Sequence, residues 1–337
     1  MKKLLYTISI ITILFTTSCE KLFMDKEPGI SPNEIFEQVW SFADANYSFF
    51  DYKGINWDSV KSVYEPKISD EMTDEALFDT LANMLFLLRD GHVNLKSDFD
   101  FSRNWHWYLD YPSNFSFDLL ERNYFNHQEQ YMGGFVIHDF DDVGYIYYSS
   151  FMNMVNQDDL NYIFEKFENH KGLILDFRNN GGGAILNIFA IANRFTDTEI
   201  NVAYEIHKNG PKHEDFTEKE YHTLTPIEDA ESYTKPVVIL TNRLCYSATN
   251  FIVTLMRELP NVTIIGDKTG GGGGIPSYTE LSNGWIIRVS TSRLFTLDGF
   301  NVENGVEPDI KIDQNDTDTN NGIDTILEEA LNFIRNN

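Results

Sequence analysis

Ser247 is the first candidate considered for a nucleophile. It follows an apolar, strand-like run at residues 236–241 across a short turn, and it opens a helix-like pattern at residues 247–259. Because free N–H groups at a helix N-terminus stabilise a developing negative charge, a serine there could support attack on a carbonyl group. A serine at this position is also a common helix cap, so the pattern alone leaves both roles open. Cys245 is a rival nucleophile, but two residues before the helix it would point away from those N–H groups.

Three glycines, Gly181, Gly182 and Gly183, follow a second apolar strand-like run at residues 173–177. Such a turn lets backbone N–H groups approach a ligand closely, which suits an oxyanion hole or a phosphate. It can equally be a simple strand-to-helix turn. The Gly-Lys-Ser/Thr of a Walker phosphate loop and the glycine fingerprint of dinucleotide-binding proteins are both absent.

His92 and Glu303 are two further residues of types that can move a proton. A lone histidine is more often structural than catalytic, and spacing does not single out Glu303 among the 52 acidic residues. The remaining histidines show no metal-ligand spacing such as His-Glu-x-x-His. The sequence therefore predicts neither a metal centre nor a cofactor.

Charge and cysteine content argue against several classes of protein. Asp and Glu outnumber Lys and Arg by 52 to 26, which gives a formal charge of −26. Because so negative a surface repels phosphate backbones, a nucleic-acid partner is disfavoured. The two cysteines, Cys19 and Cys245, are too few for a disulfide framework or a four-cysteine zinc site.

Residues 1–18 have the pattern of a secretory signal. Two lysines precede an apolar run of about a dozen residues, which is too short to span a bilayer. Small residues then lead into Cys19, as in a bacterial lipoprotein signal, although Thr16 stands where leucine is usual. The pattern predicts cleavage after residue 18, lipidation of Cys19 and a short tether at residues 19–30. The alternative is an ordinary signal in which the cysteine is incidental.

The elements needed to position these groups fall into three stretches. Residues 31–92 have the pattern of a small helical unit, which begins with Ser31 at the N-cap and Glu34 closing a capping box. Residues 93–142 form a connector rich in aromatic side chains, and residues 143–337 alternate strand-like and helix-like patterns. Such alternation is typical of an α/β core whose sites lie at the strand ends.

Five short motifs occur in a fixed order along the chain. They are Leu88-Arg89-Asp90-Gly91-His92-Val93, the run from Gly172 to Gly183, Thr241 with Tyr246-Ser247-Ala248, Gly266-Asp267-Lys268-Thr269-Gly270, and Gly305-Val306-Glu307-Pro308-Asp309. In this order they resemble the carboxyl-terminal-processing, or tail-specific, serine peptidases, in the tricorn-like and retinoid-binding-protein-like branch. The resemblance covers roughly residues 31–335. It implies a ClpP/crotonase-like α/β core with a small N-terminal helical subdomain.

The resemblance also implies roles for individual residues. Ser247 matches the nucleophile, His92 the general base and Glu303 the acid that orients the imidazole. The backbone N–H groups that match the oxyanion hole are those of Ala248 and of Gly182 or Gly183. The residues that match the scaffold of the glycine turn are Asp176, Arg178 and Asn180.

The chain departs from the family pattern in three places. The Ser–Lys branch places its lysine where Gly272 stands here, and Lys268 does not occupy that position, so the resemblance favours the histidine-based branch. That branch often has a serine before its histidine. Gly91 stands there, so the acid would have to orient the imidazole unaided or through water. The aromatic connector is too short for the PDZ domain found in many relatives.

These expectations describe an exported, lipid-anchored serine endopeptidase that cleaves proteins or peptides through an acyl-enzyme. The alternative is a catalytically inactive protein that binds an apolar ligand or a peptide on the same scaffold. The aromatic residues 105–117 motivate it, because they form either a packed connection or the wall of a cleft. A carbohydrate-binding role for these residues is a third interpretation, and the sequence leaves the oligomeric state open.

Overall fold

The structure is a computed structural model that describes residues 30–228 and 230–337. The predicted signal and the predicted lipidation of Cys19 lie outside these ranges. The helices are, in chain order, α1 (Pro32–Asn46), α2 (Trp57–Tyr64), α3 (Asp74–Phe86), α4 (Phe117–Leu120), α5 (Gln157–Lys166), α6 (Leu186–Ala192), α7 (Ala248–Met256), α8 (Asp316–Asn320) and α9 (Thr325–Asn336). In the two described ranges, no helix combines the length and the apolar character needed to cross a bilayer.

The strands belong to three sheets. They are, in chain order, β1 (Asn94–Lys96), β2 (Phe101–Ser102), β3 (Gln130–Met132), β4 (Phe135–Asp139), β5 (Val143–Tyr148), β6 (Gly172–Asp176), β7 (Ile200–His207), β8 (Glu220–Leu224), β9 (Val237–Thr241), β10 (Val262–Gly266), β11 (Pro276–Glu280), β12 (Ile286–Ser290), β13 (Ser292–Phe295) and β14 (Ile310–Lys311). The sheets have the strand orders β14-β10-β9-β6-β5-β4-β3, β11-β12-β1-β2 and β13-β7-β8.

The largest sheet is the centre of the α/β core. Strands β5, β6, β9, β10 and β14 are parallel, and β3 and β4 extend the sheet as an antiparallel edge. Strands β6 and β9 are buried along their whole length, as expected for apolar runs covered on both faces of a sheet. Because β6 and β9 are parallel neighbours, the turns that follow them meet at the same edge.

Helices cover both faces of this central sheet. Leu173 and Leu175 of β6 pack with side chains of α5, α6 and α7 on one face. Ile174, which points the other way, packs with the apolar stripe of α9. That stripe consists of Ile326, Leu327, Ala330, Leu331 and Ile334. The core is therefore a three-layer arrangement with a rigid sheet beneath the two turns.

The N-terminal helical unit, α1 to α3, packs on the sheet that contains β12. Helix α1 begins as predicted: Ser31 Oγ accepts from the Glu34 N–H at 3.3 Å, and Glu34 Oε2 accepts from the Ser31 N–H at 3.0 Å. Trp57 of the helical unit and Trp285 beside β12 belong to one apolar cluster. His92 lies two residues before β1, which pairs with β12, so the packing of this unit fixes the histidine.

The predicted α/β class with a small N-terminal helical subdomain is confirmed. Residues 93–142, expected to connect the two units, instead contribute strands β1 to β4 to two sheets, so the central sheet begins before residue 143. Local patterns could not indicate this, because Asn94 of β1 pairs with Arg288 of β12, 194 residues later. Residues 93–142 are described throughout, and they contain no PDZ domain.

Candidate active site

Ser247 lies in a sharp turn between β9 and α7. Its backbone has φ 58° and ψ −121°, a region that residues with a side chain rarely adopt and that marks strain at functional positions. The Ser247 N–H donates to Gly271 O at 2.9 Å and helps to hold this conformation. The side chain makes no capping hydrogen bond to α7, and its Oγ lies 2.9 Å from His92 Nε2. The hydroxyl therefore contacts an imidazole, and it does not cap the helix.

His92 presents a neutral imidazole to this hydroxyl. Burial lowers the pKa of His92 to about 4; Asp90 opposes the shift, and nearby cations, Arg288 first among them, add to it. At neutral pH the ring therefore holds one proton. With that proton on Nδ1, Nε2 can accept the hydrogen bond, and then the proton, of Ser247. This is the relation required of a general base.

Glu303 is not in contact with His92, contrary to the expectation that it orients the imidazole. Its Oε1 lies 2.6 Å from Lys53 Nζ, and its Oε2 accepts from the Gly273 N–H at 2.9 Å. His92 Nδ1 is buried without a hydrogen-bond partner among the described residues. The physical reason is the lysine, because a buried carboxylate is far less costly when it pairs with a permanent cation than when it faces a neutral ring.

Lys53, Glu303 and Asp90 form a buried charged cluster behind the serine and the histidine. Lys53 Nζ lies 2.6 Å from Glu303 Oε1 and 3.9 Å from Asp90 Oδ2. Asp90 Oδ1 accepts from the His92 N–H at 2.8 Å and from the Tyr246 O–H at 3.2 Å. Burial and repulsion from Asp90 raise the pKa of Glu303 to about 7, and Lys53 opposes this rise. No sequence pattern indicated Lys53, which is 250 residues away from the acid that it pairs with.

Two backbone N–H groups beside Ser247 remain available for an oxyanion. Ala248 is the first residue of α7, so its N–H has no acceptor within the helix. In the described part of the chain no acceptor contacts the Gly183 N–H either. Gly182, the other glycine matched to the oxyanion hole, donates its N–H to Asn180 Oδ1 at 2.9 Å and is already occupied. Of the N–H groups matched to an oxyanion hole, those of Gly183 and Ala248 are therefore the unoccupied ones.

Arg178 anchors the base of the glycine turn. Its Nε and Nη2 donate to the Asp176 carboxylate at 2.9 and 2.6 Å, and its Nη1 donates to Asp324 Oδ1 at 3.0 Å. The guanidinium also lies 4.8 Å from the centroid of the Phe115 ring. All three charged groups are buried. Because the guanidinium pairs with both carboxylates, the cost of burying this cation is compensated. The end of β6 is thereby fixed against the N-terminus of α9.

The glycine tract at residues 270–274 disfavours a serine–lysine arrangement. Gly272 has φ 77°, and a side chain at this position would collide with the Tyr246 ring. Lys268 pairs instead with Glu307, with Nζ 3.0 Å from Oε1. Gly272, Gly273 and Gly274 of this tract form one wall of the cavity beside Ser247.

Cys245 is not placed to react. The residue is fully buried, and its thiol donates to Phe177 O at 3.1 Å. Burial raises the pKa of Cys245 to about 12, and a thiol that stays protonated is a poor nucleophile. The rival nucleophile considered from the sequence is therefore disfavoured.

Trp107 brings the aromatic connector to the site. Its ring packs on that of Tyr246, with centroids 4.4 Å apart, and its Nε1–H donates to Arg243 O at 3.0 Å. Because Tyr246 directly precedes Ser247, this part of the connector packs against the serine turn.

A cavity of about 190 Å³ adjoins Ser247. Phe251, Glu205 and Arg288 are among the residues that line it. The volume is below the roughly 300–1,000 Å³ of most small-molecule sites and suits one substrate side chain. A larger hollow of about 350 Å³, beside Arg194, shares no residue with this site.

Comparisons with known proteins identify the family. The pattern of Peptidase family S41 matches residues 142–312, and that of the Tricorn protease C1 domain matches residues 30–86. A crystal structure of a candidate peptidase from Parabacteroides merdae is 42% identical, with a TM-score of 0.86, over 90% of this chain and 96% of that one. The carboxy-terminal processing protease CtpA of Bacillus subtilis is 31% identical over 142 residues, 42% of this chain and 28% of that protein. Mature CPAF in complex with lactacystin shares the fold, with a TM-score of 0.68 and 11% identity, over 91% of this chain and 99% of that one.

These matches place the chain among the serine-type peptidases. It belongs to peptidase family S41, because the family pattern covers half of the chain and a 42% identical structure covers nine-tenths of it. The predicted family is thus confirmed. The matching stretch spans only 27% to 35% of the curated relatives, so the similarity to them is a similarity to part of each.

Proposed function

We propose that the chain is a serine endopeptidase that cleaves proteins or peptides through an acyl-enzyme, with Ser247 as nucleophile and His92 as general base. The observation that carries this proposal is the distance of 2.9 Å between Ser247 Oγ and Nε2 of a buried, neutral imidazole. An unassisted hydroxyl is a poor nucleophile at neutral pH. A neutral imidazole at hydrogen-bond distance activates it by taking its proton during the attack.

The proposed reaction has two halves. In the first, Ser247 Oγ bonds to the substrate carbonyl carbon while its proton passes to His92 Nε2. The N–H groups of Gly183 and Ala248 hold the resulting oxyanion. The intermediate collapses when the C–N bond breaks and the leaving amine takes the proton from His92, which leaves an ester on Ser247. In the second half, water gives a proton to His92 and attacks the ester, and Ser247 leaves with that proton.

Substitution of the two reacting residues tests the proposal. We expect Ser247→Ala and His92→Ala each to lower the hydrolysis of an unfolded protein substrate by at least about 10³-fold, because nucleophile and base act as one unit. A fluorophosphonate probe should label the natural protein at Ser247 and leave Ser247→Ala unlabelled. Lys268→Ala is the matched control and should keep full activity, since Lys268 pairs with Glu307. Activity that survives both alanine variants would refute the assignment.

The non-catalytic alternative makes opposite predictions for these variants. A binding protein would bind an apolar ligand or a peptide equally well with or without Ser247, and it would not react with the fluorophosphonate. The cavity of about 190 Å³ argues against a bulky apolar ligand beside Ser247, because sites for such molecules are larger.

We also propose that the protein is exported and held at a membrane by a lipid on Cys19. The support is the sequence pattern of residues 1–19, which ends a short apolar run with small residues and a cysteine. When the full chain is made in bacteria fed an alkyne fatty acid, the natural protein should carry the label and sediment with membranes. Cys19→Ala should lose both properties, and a label retained by that variant would contradict the proposal.

A further inference from the structure

The cavity beside Ser247 contains a buried carboxylate that the proposed mechanism does not use. Glu205 lines this cavity and is 2% exposed. One of its oxygens accepts a hydrogen bond from the Ser292 hydroxyl. The other, Oε2, lies 3.2 Å from His222 Nε2 and 3.7 Å from His207 Nε2. Among the described residues, no lysine or arginine nitrogen lies within 4.0 Å of this carboxylate.

The lack of a permanent cation distinguishes Glu205 from the other buried acids of the site. Glu303 pairs with Lys53, and Asp176 pairs with Arg178. Histidine carries a charge only when it is protonated, so neither His222 nor His207 is a permanent cation. Because a buried charge is costly unless it is paired, a cation that enters the cavity would gain a strong interaction with Glu205.

The packing places this carboxylate in the same cavity as the nucleophile. Phe251 lies four residues after Ser247 on α7 and lines the cavity, and its ring contacts that of His222, with centroids 4.8 Å apart. His222 in turn contacts Glu205. On another wall Gly274 lies against the backbone of Ser292, whose hydroxyl bonds the Glu205 carboxylate. The cavity beside Ser247 is therefore lined both by apolar side chains and by Glu205.

We propose that Glu205 makes this cavity the subsite for a lysine or arginine side chain on the residue whose carbonyl carbon Ser247 attacks. The proposal rests on the proposed peptidase function and adds a substrate class to it. The apolar wall formed by Phe251, Ile185 and Leu294 packs against the alkyl stem of such a side chain. The carboxylate of Glu205 binds its charged head, and an arginine head can donate to both oxygens.

Arg288 lines the same cavity but does not neutralise this carboxylate. Its Nη1 donates at 3.4 Å to Oδ1 of Asn94, which lies two residues after His92 in the chain. The Arg288 guanidinium does not pair with Glu205. Burial lowers the pKa of Arg288, and repulsion from the neighbouring Arg103 adds to this, whereas Asp90 opposes the shift. Arg288 is therefore associated with the histidine side of the site, and the cavity keeps an anionic wall at Glu205.

Peptidyl diphenyl phosphonates test the proposal, because they phosphonylate an active serine after binding as substrates do. Two reagents differ only in the side chain at the reacting residue, lysine in one and the nearly isosteric, uncharged norleucine in the other. We expect the natural protein to react at least 10-fold faster with the lysine reagent. The quantity compared is the second-order rate constant of phosphonylation, followed as the gain in protein mass. Glu205→Gln should react with the two reagents at nearly equal rates and keep its rate with norleucine.

A small fluorophosphonate without a peptide part tests the reactivity of Ser247 separately from the Glu205 subsite. Equal labelling of the natural protein and Glu205→Gln shows an intact nucleophile, so a lost lysine preference then belongs to the subsite. Absence of labelling in the natural protein refutes the proposed function and the subsite with it. Labelling without a lysine preference, or a preference that persists in Glu205→Gln, refutes the subsite alone. If Glu205→Gln fails to fold, a competition experiment on the natural protein tests the subsite instead. We expect n-butylammonium to slow fluorophosphonate labelling of Ser247 and 1-butanol to leave the labelling rate unchanged. Equal effects of the two compounds would refute the subsite.

Discussion

At the scale of single residues, His92 is oriented by packing and by its backbone. The residue is 4% exposed, and its ring lies against that of Tyr246, with centroids 5.0 Å apart. The His92 N–H donates to Asp90 Oδ1, and a side chain at Gly91 would press on Trp107. The absence of a serine before this histidine therefore has a steric reason, because aromatic rings fill the space. The same packing removes water from the imidazole and lowers its pKa.

The lowered pKa of His92 predicts activity at acidic pH. Since only the neutral imidazole accepts the Ser247 proton, and burial lowers the pKa of His92 to about 4, the acid limb of kcat/KM should have its midpoint well below pH 6.5. A fluorogenic peptide without titrating groups measures this between roughly pH 4 and 8. Arg288→Met removes a cation that lowers this pKa, so it should move the midpoint to higher pH. A midpoint near 6.5 in both proteins would contradict the argument.

Lys53 provides a second prediction at this scale. Lys53→Met leaves Glu303 and Asp90 as two buried carboxylates without their cation, and removing one partner of a buried pair costs about 3–5 kcal/mol. In the variant the pKa of Glu303 rises further above its unfolded value. Protonation therefore favours the folded state at low pH, and the loss grows as pH rises.

Urea unfolding at about pH 5.5 and about pH 8 measures this effect. The free energy of unfolding of Lys53→Met should fall more at the higher pH. Glu303→Gln in the Lys53→Met background should restore part of the loss, because it removes one of the unpaired charges. A loss that is the same at both pH values would mean that the cluster does not carry the stabilisation assigned to it.

At the scale of elements, the site is the meeting point of two turns that follow neighbouring parallel strands. The turn after β6 carries the glycines, and the turn after β9 carries Ser247. The Tyr246 N–H donates to Asn180 O at 3.2 Å, and this bond joins them directly. Gly182 has φ 97°, and a Cβ atom there would lie 2.6 Å from Tyr246 O and 2.9 Å from Ser247 Cβ. The close approach of the turns therefore depends on a glycine at this position.

Gly182→Ala should separate the turns and impair catalysis without unfolding the protein. The added methyl group pushes the N–H groups that we propose hold the oxyanion away from Ser247, and misplacement by about 1 Å can cost about 10²-fold in rate. Fluorophosphonate labelling rates report the loss, and circular dichroism reports the fold. Gly181→Ala is a matched control one residue away, since a Cβ there meets no atom within 4 Å. Similar rates for the two variants would show that the spacing of the turns does not matter.

Local patterns predicted the elements of the site better than the contacts between them. Strands β6 and β9 were predictable because each is a continuous apolar run, and the capping box at Ser31 marked the start of α1. The pairing of Ser247 with His92, 155 residues apart, came from the order of family motifs and from no spacing rule. Lys53 was missed because a lysine carries no local signal of the acid that it will meet. The role of Glu303 was misjudged for the same reason.

At the scale of the whole molecule, the chain has a formal charge of −26, whereas its candidate active site contains both acidic and basic side chains. Arg288 and Lys53 lie near the histidine, and Glu205 lines the cavity beside the serine. The long-range field is therefore set by the excess of surface acids, whereas recognition inside the cavity is set by one carboxylate. These two effects differ in range, so they respond differently to salt.

The negative field predicts that salt slows the capture of cationic substrates. Raising the ionic strength from about 0.01 M to about 0.15 M shortens the Debye length from about 30 Å to about 8 Å. The value of kcat/KM should therefore fall for a peptide with positive charges away from the cleaved bond and rise for a matched acidic peptide. Glu205→Gln should keep both salt slopes, because it removes one of the 52 acidic residues, while changing the preference at the cleaved residue. Equal salt dependence for the two peptides would show that surface charge does not steer substrates to this site.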